Sequence, residues 1–165
     1  MLILCLSVAI AVLDQVSKFA VRSRFRVGEQ LPVIPGLFNL SYVRNTGAAW
    51  GIFAGFGNWL VVVSIVMLIV IVFFRHSFMN DGSLDRVAVG LMVGGIVGNL
   101  IDRVRLGYVV DFLDFHWKTH HFPAFNVADA AICTGVGLYI LSQYLAERRE
   151  QREQPQAGDD SRADA

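Results

Sequence analysis

Two aspartates in apolar surroundings are the residues of this sequence best suited to acid–base chemistry. Asp129 is the only residue of the Asp, Glu, Lys and Arg types between Lys118 and Glu147, and Asp111 lies on the segment that leads into this apolar stretch. Two carboxyl groups that approach each other in an apolar environment share one proton. One of them can then accept a proton from water while the other donates a hydrogen bond to a carbonyl group, which is the chemistry of peptide hydrolysis.

The segments that must position these aspartates are long and apolar. The chain has 165 residues, of which 55% are hydrophobic and 17% are charged, and its mean hydropathy is +0.51. Thirty residues without Asp, Glu, Lys or Arg separate Arg44 from Arg75. Stretches of this kind are typical of transmembrane helices. We predict an α-helical integral membrane protein with four transmembrane helices, at residues 1–25, 58–74, 84–101 and 122–145.

A small β-sheet is expected beside these helices. Apolar and polar residues alternate over residues 38–42, which favours a strand, and residues 108–115 also look extended. Open sheet edges are not tolerated facing lipid. We therefore expect the sheet outside the hydrocarbon core of the membrane.

One domain accounts for most of the chain. No Lys or Arg precedes the apolar start, so we interpret the N-terminus as an uncleaved helix rather than a secretory signal. Residues 147–165 carry four Arg and six Asp or Glu, a composition typical of solvated, disordered chain. We predict a single membrane-embedded domain over residues 1–146 and a polar, disordered tail over residues 147–165.

The order of the helices brings the unusual polar residues to one side of the membrane. Helices 1 and 3 both exit on the face opposite the termini, and helix 4 enters from that face, with Asp129 two turns into it. The polar residues that gather there are Asp14, Lys18, Arg44, Asn45, Asp102, Arg103, Asp111 and Asp129. Charged groups inside a membrane are costly and usually mark function, so we expect the site at this end of the bundle.

Structural explanations exist for the same residues. Asp14 and Lys18 are four residues apart, which is the spacing of an ion pair on a helix surface. Asp102 and Arg103 also suit an anchor pair at the membrane interface. A lone intramembrane aspartate also suits the proton relay of a small transporter or channel. A scaffold whose polar cluster only holds the helices together is a third interpretation.

The histidines and cysteines do not indicate a site of their own. His116, His120 and His121 lie near acidic residues, but the sequence has no HExxH pattern, and we predict no metal. Cys5 and Cys133 lie in apolar runs, where we expect both to be small buried residues.

The balance of charge excludes one class of partner and gives an orientation. The net formal charge is zero, so no single-sign field would steer the chain to a nucleic acid. The termini and the middle loop carry the basic residues Arg75, Arg86, Arg148, Arg149, Arg152 and Arg162. The opposite face carries a larger set, Lys18, Arg22, Arg24, Arg26, Arg44, Arg103, Arg105 and Lys118. By the positive-inside rule, this count places the termini outside the cell.

Five sequence blocks, in this order, resemble the bacterial lipoprotein signal peptidases (signal peptidase II), a family of aspartic intramembrane peptidases. They are DQVSK at residues 14–18, RNTGAAWG at 44–51, GGIVGNLIDR at 94–103, GYVVDF at 107–112 and FPAFNVAD at 122–129. Each block is weak alone, but all five in order, spanning most of the chain, are highly specific.

The resemblance implies roles for the residues within these blocks. Asp111 and Asp129 correspond to the catalytic pair. Residues that line the site and bind the substrate or position the pair would be Asn45, Asn99, Arg103 and Asn126. Asp14 and Lys18 would support the site structurally, and no metal or cofactor is expected.

The resemblance also implies a substrate and a location. The substrate would be a prolipoprotein whose lipobox cysteine carries diacylglycerol, cut just before that cysteine to release the signal peptide. The expected partners are such prolipoproteins and membrane lipids, and the chain is expected to act as a monomer. The fold would be four helices and a small extracytoplasmic sheet in the bacterial inner membrane. Both termini would be cytoplasmic and the site would lie near the periplasmic face, which reverses the orientation obtained by counting basic residues.

Overall fold

A computed structural model describes residues 1–47, 57–79, 82–118 and 120–153 of the chain. The helices in this part are α1 (Leu2–Arg24), α2 (Gly57–Phe78), α3 (Ser83–Leu106) and α4 (Val127–Glu153). The strands are β1 (Gln30–Ile34), β2 (Phe38–Asn45), β3 (Val109–Trp117) and β4 (His120–His121). A mostly helical chain with a small sheet is therefore confirmed.

The start of α4 differs from the prediction. We expected the helix from residue 122, but it begins at Val127. Phe125 instead pairs with Leu113 of β3 in an isolated antiparallel bridge, and Pro123 lacks the backbone N–H that a helix interior needs. Asp129 therefore lies in the first turn of α4, and the expected position two turns into the helix is wrong.

The end of α4 also differs from the prediction. The helix continues to Glu153 without a break at the predicted domain boundary after residue 146. The expectation of disorder is therefore wrong for residues 147–153, whereas residues 154–165 lie outside the described residues.

α3 lies at the centre of the helical bundle and contacts each of the other helices. α1 runs parallel to α3, because Ser7 is hydrogen-bonded to Gly90 and Lys18 to Asn99. α4 runs antiparallel to α3, since a Cβ at Gly135 would lie 2.7 Å from the carbonyl oxygen of Ala88, early in α3. The C-terminal ends of α1 and α3 thus meet the N-terminal end of α4.

The strands form one antiparallel sheet in the order β1-β2-β3-β4. Asn45 at the end of β2 pairs with Val109 at the start of β3. Val21, Tyr42, Val110 and Phe112 form a buried cluster that joins the sheet to the last turns of α1. This packing fixes the start of β3 against the ends of the helices.

Apolar side chains cover much of the outside of the bundle. On α1, Val8, Val12 and Phe19 are more than half exposed, at 54%, 55% and 70%. Within the described residues, α1 and α3 have the length and composition of a membrane span, and the apolar stretch of α2, Asn58–Phe74, is shorter. Cys5 and Cys133 are both exposed free thiols, so the expectation that they are buried is wrong.

Candidate active site

A buried group of charges joins α1 to α3. Lys18 Nζ lies 2.8 Å from Asp14 Oδ2 and 3.2 Å from Asp102 Oδ2, and it donates a hydrogen bond to Asn99 Oδ1 at 2.8 Å. Lys18 is 2% exposed and Asp14 is 0% exposed. The two residues therefore form a buried pair and not the helix-surface pair that their spacing allows. Buried charges persist only when they are paired and hydrogen-bonded.

Asp14 also holds the start of α4. Its Oδ1 accepts a hydrogen bond from the backbone N–H of Ala128 at 2.9 Å. A carboxylate at a helix N-terminus satisfies a free N–H group and interacts favourably with the helix dipole. A Cβ at Gly98 would lie only 2.6 Å from Asp14 Oδ2, so glycine lets α3 approach this carboxylate. One side chain of α1 thus connects three helices.

Asn126 and Asp129 cap α4 reciprocally. The backbone N–H of Asp129 donates to Asn126 Oδ1 at 2.9 Å, and the backbone N–H of Asn126 donates to Asp129 Oδ2 at 3.3 Å. This is the geometry of a capping box, with Asn at the N-cap and Asp three residues later. The N-x-x-D spacing is readable in the sequence and would have placed the helix start correctly.

Two buried amides connect the aspartates to each other. Asn99 Nδ2 donates to Asp129 Oδ1 at 2.7 Å, and Asn126 Nδ2 donates to Asp111 Oδ1 at 2.7 Å. Asn126 Nδ2 also lies 3.2 Å from Asn99 Oδ1, the oxygen that accepts from Lys18. The charge of Lys18 therefore orients the amide of Asn99 so that its nitrogen faces Asp129.

Asp111 lies near the start of β3 and is 2% exposed. Besides Asn126, it accepts a hydrogen bond from Asn45 Nδ2 at 2.9 Å. Burial, followed by the charge of Asp129, raises the pKa of Asp111 from 3.8 to about 7, although the two amide donors and the charge of Lys18 lower it. A carboxyl group with this pKa is half protonated at neutral pH, which suits a proton donor.

Arg103 lies between the aspartates and the end of β2. It is half-buried, its Nη2 donates to the carbonyl oxygen of Gly47 at 3.5 Å, and it interacts electrostatically with Asp129, Asp111 and Asp102. Asp102 accepts hydrogen bonds from the backbone N–H of Val110 at 3.0 Å and belongs to the Lys18 group. The neighbouring residues Asp102 and Arg103 thus point to different partners and do not form an anchor pair.

A cavity of about 380 Å³ opens beside both aspartates. Its polar lining consists of Asn45, Asn99, Arg103, Asp111 and Asp129. The remaining lining is largely apolar and includes Phe122, Phe125 and Ile132. An apolar cavity with a few convergent polar groups is the usual form of a binding site.

The structure brings together all the site residues that the sequence indicated. Asp14, Lys18 and Asn126 are buried and lie outside the cavity lining, and Asn126 donates a hydrogen bond to Asp111 from there. The sequence patterns did not indicate Gln15, whose Nε2 donates to Asp102 Oδ1 at 3.0 Å and to the Gly98 carbonyl at 3.1 Å. The only indication in the sequence that Gln15 would join this polar group is its position next to Asp14.

The histidines lie on the sheet, away from this cavity. His121 Nδ1 lies 3.0 Å from Asp114 Oδ1, and the ring of His116 stacks on that of His121 with the ring centres 4.9 Å apart. In the part of the chain that the structure describes, no three His, Cys, Asp or Glu side chains are placed to hold a metal ion.

Comparison with known proteins relates this site to a family. The family model described as signal peptidase (SPase) II matches residues 6–145. The lipoprotein signal peptidase of Syntrophotalea carbinolica is 43% identical over 153 residues, covering 91% of this chain and 95% of that protein. The lipoprotein signal peptidase of Geobacter sulfurreducens is 46% identical over 142 residues, covering 84% of this chain and 89% of that protein.

A solved structure agrees with this relationship. A bacterial membrane enzyme determined by the in meso method superposes with a TM-score of 0.82 and 33% sequence identity, covering 92% of each chain. Sequence and fold thus agree over nearly the whole chain, which belongs to the signal peptidase II family and is a membrane peptidase of the aspartic class.

Proposed function

We propose that this chain removes signal peptides from diacylglyceryl-modified prolipoproteins, with Asp111 and Asp129 as its catalytic pair. One observation carries this assignment: both carboxyl groups line the same cavity, and two buried amides hold them in place. Cleavage just before the lipidated cysteine follows from the resemblance to the family.

The two aspartates have different surroundings, which favours different roles. Asp129 accepts hydrogen bonds from Asn99 Nδ2 and from the backbone N–H of Asn126, at the N-terminal end of α4. These two N–H donors and the N-terminal end of a helix suit an ionised carboxylate that accepts a proton. Asp111 is the more deeply buried of the two, and with a pKa of about 7 it is half protonated at neutral pH and mostly protonated below it. We assign Asp129 as the general base and Asp111 as the general acid.

The reaction then follows with two proton transfers that form a tetrahedral intermediate and two that break it down. Asp129 takes a proton from a water molecule, whose oxygen attacks the carbonyl carbon of the scissile peptide bond. Asp111 gives its proton to the carbonyl oxygen, which produces a neutral tetrahedral diol. When the diol collapses, Asp129 delivers its proton to the departing amine nitrogen, and Asp111 recovers its proton from the diol hydroxyl. Both residues return to their starting states.

The other polar residues of the cavity are assigned to substrate binding and positioning. Asn45 and Asn99 each donate one amide N–H to an aspartate and have side chains at the cavity wall. Arg103 supplies N–H donors beside both aspartates, where the carbonyl groups of an extended peptide would lie. The apolar wall that includes Phe122 and Phe125 suits the acyl chains or the apolar signal peptide.

The arrangement of the helices supports a four-span topology. α2 has 22 residues and extends about 33 Å, enough to cross the hydrocarbon core. On α4, Ile140 and Leu141 are 62% and 46% exposed, as expected of a lipid-facing surface. Because α1 runs parallel to α3 and antiparallel to α4, the start of α1 and the described end of α4 lie at the end of the bundle opposite the site. Following the family resemblance, we place the termini in the cytoplasm and the site near the periplasmic face of the inner membrane, and we propose that the chain acts as a monomer.

The test is cleavage of a diacylglyceryl-modified prolipoprotein by purified full-length protein. Asp111→Asn and Asp129→Asn keep the side-chain size and remove the ionisable group. We expect each to lower kcat by about 100-fold or more. Asp114→Asn is the matched control, because Asp114 is a 4% exposed carboxylate on the same strand that bonds to Asn39 and His121 instead of the cavity.

The outcomes separate the catalytic pair from a structural role. Near wild-type cleavage by a folded Asp111→Asn or Asp129→Asn protein would show that this aspartate is structural. Loss of cleavage on addition of EDTA would replace the aspartic mechanism with a metal-dependent one. If the folded wild-type protein itself does not cleave the substrate, the transporter or scaffold interpretations would be favoured.

A further inference from the structure

The exposed charges around the sheet are almost all positive. Over residues 19–47 and 103–126, the described part of the chain has one exposed carboxylate, Glu29. Residues 48–56 and 119 carry no charged side chain. The exposed basic residues in the same region are Arg22, Arg24, Arg26, Arg44, Arg105 and Lys118. Within the described residues, the side-chain cation of none of these six lies within 4.0 Å of a carboxylate, and only the backbone N–H of Arg26 reaches Glu29 Oε2, at 2.7 Å.

Arg44 differs from the other five because it is held over two tyrosine rings. Its Cζ lies 4.8 Å from the ring centre of Tyr108 and 5.8 Å from that of Tyr42. Its Nε donates to Tyr42 Oη at 3.4 Å, and the two phenolic oxygens are 3.3 Å apart. Stacking and this hydrogen bond fix the plane of the guanidinium group.

The terminal nitrogens of Arg44 remain available for a ligand. Among the described residues, neither Nη1 nor Nη2 of this exposed side chain has a hydrogen-bond acceptor. Two parallel N–H groups in a fixed plane match two oxygens of a phosphate group. The site therefore has the geometry of a bidentate anion receptor.

Arg22 adds a second positive charge beside the same tyrosines. Burial raises the pKa of Tyr42, but hydrogen bonds with Tyr108 and Arg44, together with the charges of Arg44 and Arg22, lower it overall. The charges of Arg44 and Arg22 also act on Tyr108. Two cations beside the tyrosine pair, without an ion-paired carboxylate among the described residues, attract an anion.

The depth of this cluster points to the kind of anion. Arg22 lies in the last turn of α1, and Arg105 lies in the last turn of α3. Both helices have the length and composition of membrane spans, so their ends lie at the height of the lipid headgroups. The anions present at that height are phospholipid phosphates, and an anionic headgroup attracts Lys and Arg near the membrane surface.

We propose that Arg44, stacked on Tyr108 and Tyr42 and flanked by Arg22, binds the phosphate of an anionic phospholipid headgroup. The proposed site is separate from the cavity, since none of these four residues lines it. Arg44 and Tyr42 lie on β2, and the next residue of this strand, Asn45, donates a hydrogen bond to Asp111. A bound headgroup would therefore also hold the end of β2 next to the catalytic pair.

The test measures lipid binding directly. Native mass spectrometry of the full-length protein in detergent would follow titration with phosphatidylglycerol and, separately, with phosphatidylcholine. Arg44→Lys keeps the positive charge but removes the planar guanidinium group that stacks on the rings. Tyr108→Leu keeps every charge but removes the ring on which this group stacks most closely. Arg24→Gln is the matched control, because it removes a charge from the same face without touching the tyrosines.

We expect the wild type to prefer phosphatidylglycerol and Arg44→Lys and Tyr108→Leu each to weaken that binding about tenfold, the effect of losing hydrogen bonds to a charged group. Arg24→Gln should weaken it by about fivefold or less, the effect of one basic residue near an anionic surface. Thermal unfolding of each variant checks that it is folded, and Arg44→Gln provides a second variant at the same position.

Several results would overturn the proposal. Equal binding of the two lipids would show that no anionic headgroup is selected. Wild-type affinity in Arg44→Lys would show that diffuse charge alone attracts the lipid. Displacement of the lipid by an equal concentration of inorganic phosphate would identify a phosphate site without lipid specificity. An effect of Arg44→Lys on KM only for substrates with acidic residues after the cysteine, with lipid binding unchanged, would assign the cluster to the substrate protein.

Discussion

The side chain of Asn126 is hydrogen-bonded to both of the proposed catalytic residues, Asp111 and Asp129. Its Oδ1 accepts the backbone N–H of Asp129 at 2.9 Å, while its Nδ2 donates to Asp111 Oδ1 at 2.7 Å. Because the capping bond requires the oxygen to face α4, the nitrogen must face Asp111. The signal that starts the helix therefore also orients the hydrogen bond to the second carboxyl group.

The two functions of Asn126 can be separated by substitution. Asn126→Ser keeps an oxygen that can cap α4, whereas Asn126→Ala does not, so we expect the Ala variant to be less stable than the Ser variant by about 1 kcal/mol. Both variants lack the N–H donor to Asp111, so we expect both to lose kcat to a similar extent. Denaturant unfolding in detergent and steady-state kinetics measure the two effects. Equal stability of the two variants would contradict the capping role.

The pKa of Asp111 predicts how activity depends on pH. Above about pH 7 Asp111 is ionised and can no longer donate its proton, so we expect kcat/KM to fall on the alkaline side with an apparent pKa near 7. The amide of Asn45 lowers this pKa, so Asn45→Ala should move the alkaline limb to higher pH. Asn39→Ala is the control, because Asn39 donates to Asp114. If the alkaline limb of the Asn45→Ala variant stays at the wild-type pH, the assignment of this limb to Asp111 is contradicted.

The same group makes stability depend on pH in a definite direction. The folded pKa of Asp111, about 7, lies above its ordinary value of 3.8, so the folded state binds more protons between these values. The stability contributed by this group is fully present below about pH 3.8 and is lost as the pH rises through about 7. Asp111→Asn should remove this part of the pH dependence of unfolding.

Lys18 is predicted to be essential for stability because its ammonium group pairs with two buried carboxyl groups. Lys18→Met would leave Asp14 and Asp102 without their cation, and removing one partner of a buried ion pair costs about 3–5 kcal/mol. Lys118→Met is the control, since Lys118 is exposed and such changes stay within about 0.5 kcal/mol. Unfolding measurements compare the two variants. Similar stability for both would mean that the buried pair contributes little.

Gly98 is predicted to be needed for the contact between α1 and α3. A Cβ there would lie 2.6 Å from Asp14 Oδ2, so Gly98→Ala should destabilise the protein by about 1–3 kcal/mol. Gly137 on α4 has nothing within 4 Å of the same position, so Gly137→Ala should be neutral or stabilising by up to about 1 kcal/mol. If Gly98→Ala instead stabilised the protein, α1 and α3 would be able to move apart at this contact without a loss of stability.

The sequence alone predicted the helices well where apolar length decides the outcome. The four apolar stretches became helices, and their order brought Asp111 and Asp129 to one end of the bundle. The start of α4 was predicted wrongly because the apolar run from Phe122 was given more weight than Pro123 and the capping spacing of Asn126 and Asp129. The proline and the capping spacing are local signals in the sequence, and they indicate the observed start of α4 correctly.

What the sequence determined by itself is the set of apolar spans, their order and the end at which the polar residues gather, since these depend on composition and connectivity. Only the tertiary structure decided that Lys18 and Asp14 are buried, which amide serves which aspartate, and that Arg44 stacks on Tyr108. Lys18 and Asn99 are 81 positions apart, and Asp14 and Ala128 are 114 apart. Desolvation and hydrogen-bond geometry depend on how such distant segments approach each other, and local sequence patterns do not contain that information.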